Sequence, residues 1–319
     1  MSLIEQAAKR LEQLRQAGVE LPENKVAQDL PANAPEQKNT EPESWQLTTS
    51  SATDTPRSVD DISLHKPSHS TTKRVDLDLD AMAASGLLVP SQSRNVLANE
   101  FRVIKRPLIA NAMGKGSAPV SNGNLIMITS ALPGEGKSFT AVNLAISIAM
   151  ELDNTVMLVD ADVARPSILT MLGLPPTEGL LDVVKEDSLD ISRVLLHTNI
   201  EKLSILPSGT PHPRATELLA SDAMIRLLDD MAKRYPDRII IFDSPPLLLT
   251  TEARALATHM GQIVVVVQSG ETAQAAVKEA VATINASPLK MMVLNKATQS
   301  ASDRYGYGYA YGYGYGNEK

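Results

Sequence analysis

The octapeptide Ala131-Leu-Pro-Gly-Glu-Gly-Lys-Ser138 constrains this chain more than any other segment. It follows a short apolar run, Leu125-Ile-Met-Ile-Thr-Ser130, and precedes a helix-length stretch, Phe139 to Glu151. In that stretch Val142, Leu144, Ala145 and Ile148 recur at helical spacing. Strand, glycine loop and helix form the arrangement in which backbone N–H groups and a helix N-terminus surround phosphate oxygens. Ala131 stands where this phosphate-loop pattern usually has its first Gly. Pro133, Gly134, Glu135, Gly136, Lys137, Ser138 and Phe139 are accordingly assigned to nucleotide binding. Gly134 and Gly136 permit the tight loop, Lys137 reaches the terminal phosphates, and Ser138 ligates magnesium.

Two later segments end in carboxylates. Thr155-Val-Met-Leu-Val-Asp160 is a strand followed by Ala161 and Asp162, and Arg238-Ile-Ile-Ile-Phe-Asp243 is a second, continuing Ser244-Pro245-Pro246. In a parallel sheet the C-terminal strand ends line the ligand crevice, so Asp160, Asp162 and Asp243 are expected to converge on the phosphate loop. Either Asp alone could cap a turn. Both together, in this order after a phosphate loop, match the hard oxygen chemistry of a magnesium ion on phosphates.

Further strands are predicted at Lys202 to Leu206, Gln262 to Gln268 and Lys290 to Asn295, with helices at Asp222 to Arg234 and Thr272 to Ala286. This alternation predicts a doubly wound, mostly parallel α/β sheet with helices on both faces. The predicted organisation is an N-terminal amphipathic helix over 1–20, a disordered linker over 21–80, a phosphate-loop domain over 81–300 and a flexible tail over 301–319. The N-terminal helix carries Ile4, Ala7, Ala8, Leu11 and Leu14 on one face. It could dock on its own domain, on a partner or on a second copy.

Six of the seven tyrosines, Tyr305, Tyr307, Tyr309, Tyr311, Tyr313 and Tyr315, alternate with Gly or Ala in the last fifteen residues. Such a segment builds no core. It is either a self-associating aromatic tail or a set of accessible phenolic hydroxyls. The longest apolar runs are strand length, too short to cross a bilayer. The absence of cysteine removes disulfide and thiol chemistry and is compatible with the cytoplasm. A net charge of −7 gives no general attraction to nucleic acid, and the five histidines lack metal-ligand spacing.

With the phosphate loop, Asp160-Ala-Asp162, Asp243-Ser-Pro-Pro246 and the tyrosine tail in order, residues 95–319 resemble a bacterial tyrosine kinase of the capsule and exopolysaccharide type. The detail is similar to exosortase-associated tyrosine autokinases. Gly179-Leu-Leu-Asp-Val183, Leu206-Pro-Ser-Gly209 and Ala215-Thr-Glu-Leu-Leu219 fit the same family. The resemblance implies ATP and Mg2+ as cofactors, Lys137, Asp160 and Asp162 as catalytic groups, and Ser138, Asp162 and Asp243 as metal ligands. It also implies nucleotide contact by Asn295, and autophosphorylation of the tail tyrosines in trans within a homo-oligomer. Asp160 would accept or orient the tyrosine proton, since a phenol with pKa near 10 benefits from a base. The implied partners are a membrane-embedded polysaccharide chain-length protein acting as activator and a phosphotyrosine phosphatase, with no nucleic acid. The kinase would then be cytoplasmic and recruited to the inner face of the cell membrane.

The chain departs from the family pattern in two elements. Ala164 takes the place of an Arg after Asp162, with Arg165 following. In the family's self-association helix Arg102 and Lys105 fit the basic positions, while Asn99 stands at the Glu position beside Glu100. Pro107 is expected to interrupt that helix. Glu100, Arg102, Lys105 and Arg106 could equally form a solvated helix face. A rival class, the partitioning and division-site switch ATPases, shares the sheet. It carries a signature lysine where this chain has Leu132, and it leaves the tyrosine tail without a role.

Overall fold

The structure, a computed structural model, describes residues 73–186, 189–234, 237–285 and 289–297. Its centre is an eight-stranded sheet: β1 Lys73–Val75, β2 Leu125–Ser130, β3 Thr155–Asp160, β4 Leu196–Thr198, β5 Leu203–Leu206, β6 Arg238–Asp243, β7 Gln262–Gln268 and β8 Leu289–Asn295. The spatial order is β1-β4-β5-β3-β6-β2-β7-β8. Every neighbouring pair is parallel except β4 with β5, so β1 and β4 run against the other six. Among the described residues four helices are ten residues or longer: α1 Val96–Ala112, α2 Lys137–Ala149, α3 Asp222–Arg234 and α4 Gln274–Thr283. Shorter helical turns are named below by range.

The central strands read as continuous apolar runs because both of their faces are covered. All six residues of β2 are buried. Its alternate side chains feed two cores: Ile126 and Ile128 pack with Phe101 and Leu108 of α1 and Leu144 and Ile148 of α2. Leu125 and Met127 pack with Met224, Leu228 and Met231 of α3. Helices on both faces of a mostly parallel sheet bear out the doubly wound α/β expectation.

The sequence places the start of order near residue 81, after a linker over 21–80, whereas β1 begins at Lys73, inside that linker, and pairs with β4. Neither three-residue strand was predicted. A second difference concerns Pro107, which was expected to break the helix. Instead α1 runs through it for 17 residues. Pro107 and Val103, the residue whose carbonyl loses its helical donor, are both exposed, so water can satisfy the freed carbonyl. A third concerns Lys105, which lies neither on a solvated face nor on a face open to a neighbour. It is 5% exposed, and its ammonium donates to the Ser147 carbonyl at 2.5 Å and pairs with Glu151 at 2.6 Å. A cation there closes the C-terminal end of α2, where unsatisfied carbonyls gather.

Candidate functional site

Register carries the functional groups to one edge. Asp160 and Asp243 are directly opposed at the ends of β3 and β6, and Ile128 of β2 is opposed to Asp243. The segment after Asp243 folds alongside the phosphate loop: the Thr129 hydroxyl donates to the Pro245 carbonyl at 2.9 Å and the Leu247 N–H to the Ser130 carbonyl at 2.9 Å.

Between β2 and α2 the loop turns through left-handed glycines, Gly134 at φ 82° and Gly136 at φ 94°. At Gly136 a Cβ would lie 2.1 Å from the Asn295 amide nitrogen, so only glycine fits. Glu135 is 2% exposed and turned inward. One carboxylate oxygen accepts the Leu132 N–H at 2.6 Å, and the other accepts the Thr272 hydroxyl and the Gln268 N–H. Asn295 Nδ2 donates to the Glu135 carbonyl at 2.9 Å. Lys296 Nζ donates to the Gly134 carbonyl at 2.8 Å and to Gln268 Oε1 at 3.1 Å. The sequence assigned Glu135 and Asn295 to nucleotide contact, but here their side chains hold the loop's backbone. Phe139 packs against the core, while Pro133 and Gly134 are exposed at the loop's outer turn. With the Leu132 N–H taken by Glu135 and the loop carbonyls bound from behind, an anion would be met by the N–H groups nearer the start of α2.

The carboxylates differ in their surroundings. Asp162 pairs with Lys137 at 2.8 Å and accepts the Arg165 N–H at 3.2 Å. Asp160 Oδ2 accepts the N–H groups of Ser167 and Ile168 at 3.1 and 3.0 Å, while its Oδ1 is buried without a partner. Burial pushes Asp160 up to about 6 against the pull of those two hydrogen bonds, and the Asp162 charge adds to the rise. Asp243 is fully buried with neither oxygen hydrogen-bonded, and burial pushes it up to about 7. The Lys137 ammonium acts in the opposite direction. The Ser138 hydroxyl does so too, approaching Asp243 without completing a hydrogen bond.

Three orphaned carboxylate oxygens beside a phosphate loop are a costly arrangement for a protein standing alone, and they fit a hard cation. Among the described residues no cluster of three or more His, Cys, Asp or Glu could hold a metal by itself. Magnesium is commonly held by one or two carboxylates together with phosphate oxygens. The Ser138 hydroxyl lies beside Asp243, and Asp162 is held by Lys137. Arg165, next to the Ala164 departure, is exposed.

Thr272 and Lys296 were not singled out from the sequence. Lys296 directly follows the last strand, at the sheet edge that holds the loop, and that position was a usable signal. Thr272 precedes α4 and had none. The six tail tyrosines, Tyr235 and the N-terminal helix lie outside the described residues.

A family model described as an AAA domain matches residues 123–296. The tyrosine-protein kinase YwqD of Bacillus subtilis is 37% identical over 184 residues, which cover 57% of this chain and 76% of that protein. The tyrosine-protein kinase CpsD of Streptococcus agalactiae is 32% identical, covering 56% and 77%. The putative tyrosine-protein kinase EpsB of Ralstonia nicotianae is 30% identical, but the match covers only 24% of that protein. Among solved structures, the chimerical protein CapA2B2 superposes with a TM-score of 0.58 at 28% identity, covering 72% of this chain and 94% of that one. The kinase domain of the Escherichia coli tyrosine kinase ETK gives 0.52 at 27% identity, covering 62% and 74%.

Proposed function

Because this chain belongs to the AAA-domain family and, within it, to the bacterial tyrosine-protein kinases, we propose that it is an ATP-dependent autokinase acting on its own tail tyrosines. The observation that carries the reading is the group of unpartnered buried oxygens on Asp160 and Asp243, set beside Lys137 in a phosphate loop whose shape is already held. Those groups suit a magnesium-bound triphosphate, and Leu132 stands where the rival switch ATPases carry their lysine.

Each residue has a separable task. The loop N–H groups and the start of α2 bind the phosphates, and Lys137 exchanges Asp162 for a phosphate oxygen. Ser138, Asp162 and Asp243 would hold Mg2+, which when bound neutralises charge on the phosphate oxygens. Asp160, ionised above about pH 6, accepts or orients the proton of an incoming tyrosine hydroxyl. Transfer leaves ADP on the loop and a phosphate ester on the phenol, with the phenolic proton passing to the carboxylate.

The acceptors are Tyr305, Tyr307, Tyr309, Tyr311, Tyr313 and Tyr315. From Lys296 to Tyr315 the chain spans at most about 65 Å when extended and about 24 Å as a flexible coil. That reach supports transfer between copies in a homo-oligomer. Control of exopolysaccharide synthesis, a membrane-embedded chain-length partner that recruits the kinase to the membrane, and resetting by a phosphotyrosine phosphatase complete the proposal on the family resemblance. Among the described residues no helix is long and apolar enough to cross a membrane.

The test is a phosphotyrosine immunoblot of purified protein given Mg-ATP, beside a chain ended at Ser302. The full chain should give a strong signal and the shortened one almost none, with ATP binding retained in both. An equal signal from the two would overturn the assignment of the acceptors.

A further inference from the structure

β8 is the last strand in the order of the sheet, and among the described residues it has a strand partner on one side only, β7. Its register with β7 runs without a bulge from Leu289 to Asn295. An open edge of that length is a template for another strand unless charge, proline or a bulge blunts it. β8 has no proline, and its single charged residue, Lys290, lies near its start. The edge is also apolar. Met291 and Val293 pack against the core, whereas the alternate residues Met292 and Leu294 are 59% and 63% exposed. Those two side chains line a hollow of about 500 Å³ together with Val267, Gly270 and Val277.

The chain carries a segment of matching pattern. Tyr305, Tyr307, Tyr309, Tyr311, Tyr313 and Tyr315 alternate with Gly or Ala, so in an extended conformation all six rings share one face. A tyrosine ring covers apolar surface while its hydroxyl stays in water, and a thioether sulfur makes favourable contact with aromatic rings. Main-chain hydrogen bonds along an edge ask nothing of the opposite face, where the tail has small residues. The tail also begins beside this edge. β8 ends at Asn295, and Lys296 leaves the extended conformation at φ 55°. Residues 296–304 then join β8 to Tyr305 within one chain, so closing the loop costs less than capturing a separate molecule.

We propose that the tail docks on the edge of its own chain, adding to β8 as an antiparallel strand with its tyrosines over Met292 and Leu294. A docked tail is withheld from the phosphate loop of another copy until it detaches. That consequence rests on the proposed kinase function, and the docking itself does not.

The experiment follows hydrogen exchange of the β8 amides in the full chain, treated with a phosphatase so that the tail is unmodified and kept free of nucleotide. Those amides should exchange about tenfold more slowly than in the chain ended at Ser302. Exchange in β2, equal in both, is the control for folding. The full chain carrying Met292→Lys and Leu294→Lys should lose the same protection, because both side chains are exposed and accept charge without unfolding. If shortening the chain disturbs β2, this double variant decides the matter. Equal β8 exchange in the full chain and in the variants would overturn the proposal. Protection that survives in the shortened chain and falls on dilution would assign the edge to β8 of a second copy. Protection that needs the tail but falls on dilution would assign it to the tail of another copy, and either result overturns docking within one chain. No readout here needs kinase activity, so failure of the docking is distinct from failure of the autokinase reading.

Discussion

Lys137 Nζ lies 2.8 Å from Asp162 Oδ2, with the lysine side chain 15% exposed and the aspartate 5%. The residue assigned to the terminal phosphates is thus held by a carboxylate assigned to the metal, and a nucleotide must replace that partner. Removing the charge with Asp162→Asn should free Lys137 and reduce repulsion of the phosphates. Nucleotide affinity without magnesium should therefore rise several-fold, while magnesium-dependent transfer falls by about 100-fold or more. Fluorescent-nucleotide titration in EDTA and in magnesium checks both halves. Weaker binding in EDTA would show that the pair does not restrain the lysine.

Asp243 gives a pH signature whose sign follows from burial. Its folded value of about 7 lies above the ordinary 3.8, so the folded protein holds a proton that the unfolded chain gives up. The associated stability is fully present below the unfolded value and is lost as pH rises through about 7. Asp243→Asn removes that loss. Without nucleotide, its melting temperature relative to wild type should improve between pH 5 and pH 8 by on the order of 5 °C. Any fixed cost of a buried amide cancels in that difference. A gap that does not change with pH would contradict the burial account.

Lys105 is a stability residue in this structure. Lys105→Met leaves the Ser147 carbonyl and Glu151 without their cation, and it should cost about 1–3 kcal/mol in denaturant unfolding. The size-exclusion profile should not change. A variant that unfolds like wild type but elutes as a smaller species would return Lys105 to a subunit interface.

Much of the fold could be read because the central strands are buried on both faces, and their Val, Ile and Leu runs leave little choice. β7 matches its predicted span, and α3 matches its own residue for residue. The edge of the sheet could not be read. The edge strand β1 is Lys-Arg-Val and its neighbour β4 is Leu-His-Thr, three residues each, and such short polar strands look like linker. Lys105 was misjudged because helical spacing places a cation on a face without revealing that a neighbouring helix end lies beneath it. In the site, strand-end carboxylates and loop glycines carry their own signature. The holding roles of Glu135 and Asn295 depend on β7 and β8 arriving beside the loop, which no local pattern records.

Those holding contacts have a measurable share in binding. Asn295→Ala removes one hydrogen bond from the Glu135 carbonyl, and Glu135→Gln weakens the contacts to Leu132 and Thr272. A loss of about 1 kcal/mol for each corresponds to about fivefold weaker nucleotide binding. Calorimetric titration with ADP should show this with little change in melting temperature of the nucleotide-free protein. Unchanged affinity in both variants would remove the loop-holding role.

The central claim is that the phosphate loop of one copy serves the tyrosine tail of another. It is tested most directly by mixing two defective chains with Mg-ATP and locating phosphate by mass spectrometry. Lys137→Met keeps the tail without the lysine that positions the phosphates, and the chain ended at Ser302 keeps the site without the tail. Each alone should carry almost no phosphotyrosine. Mixed, the Lys137→Met chain should become phosphorylated among Tyr305, Tyr307, Tyr309, Tyr311, Tyr313 and Tyr315. Phosphate confined to Tyr235, or none in the mixture, would contradict transfer between copies.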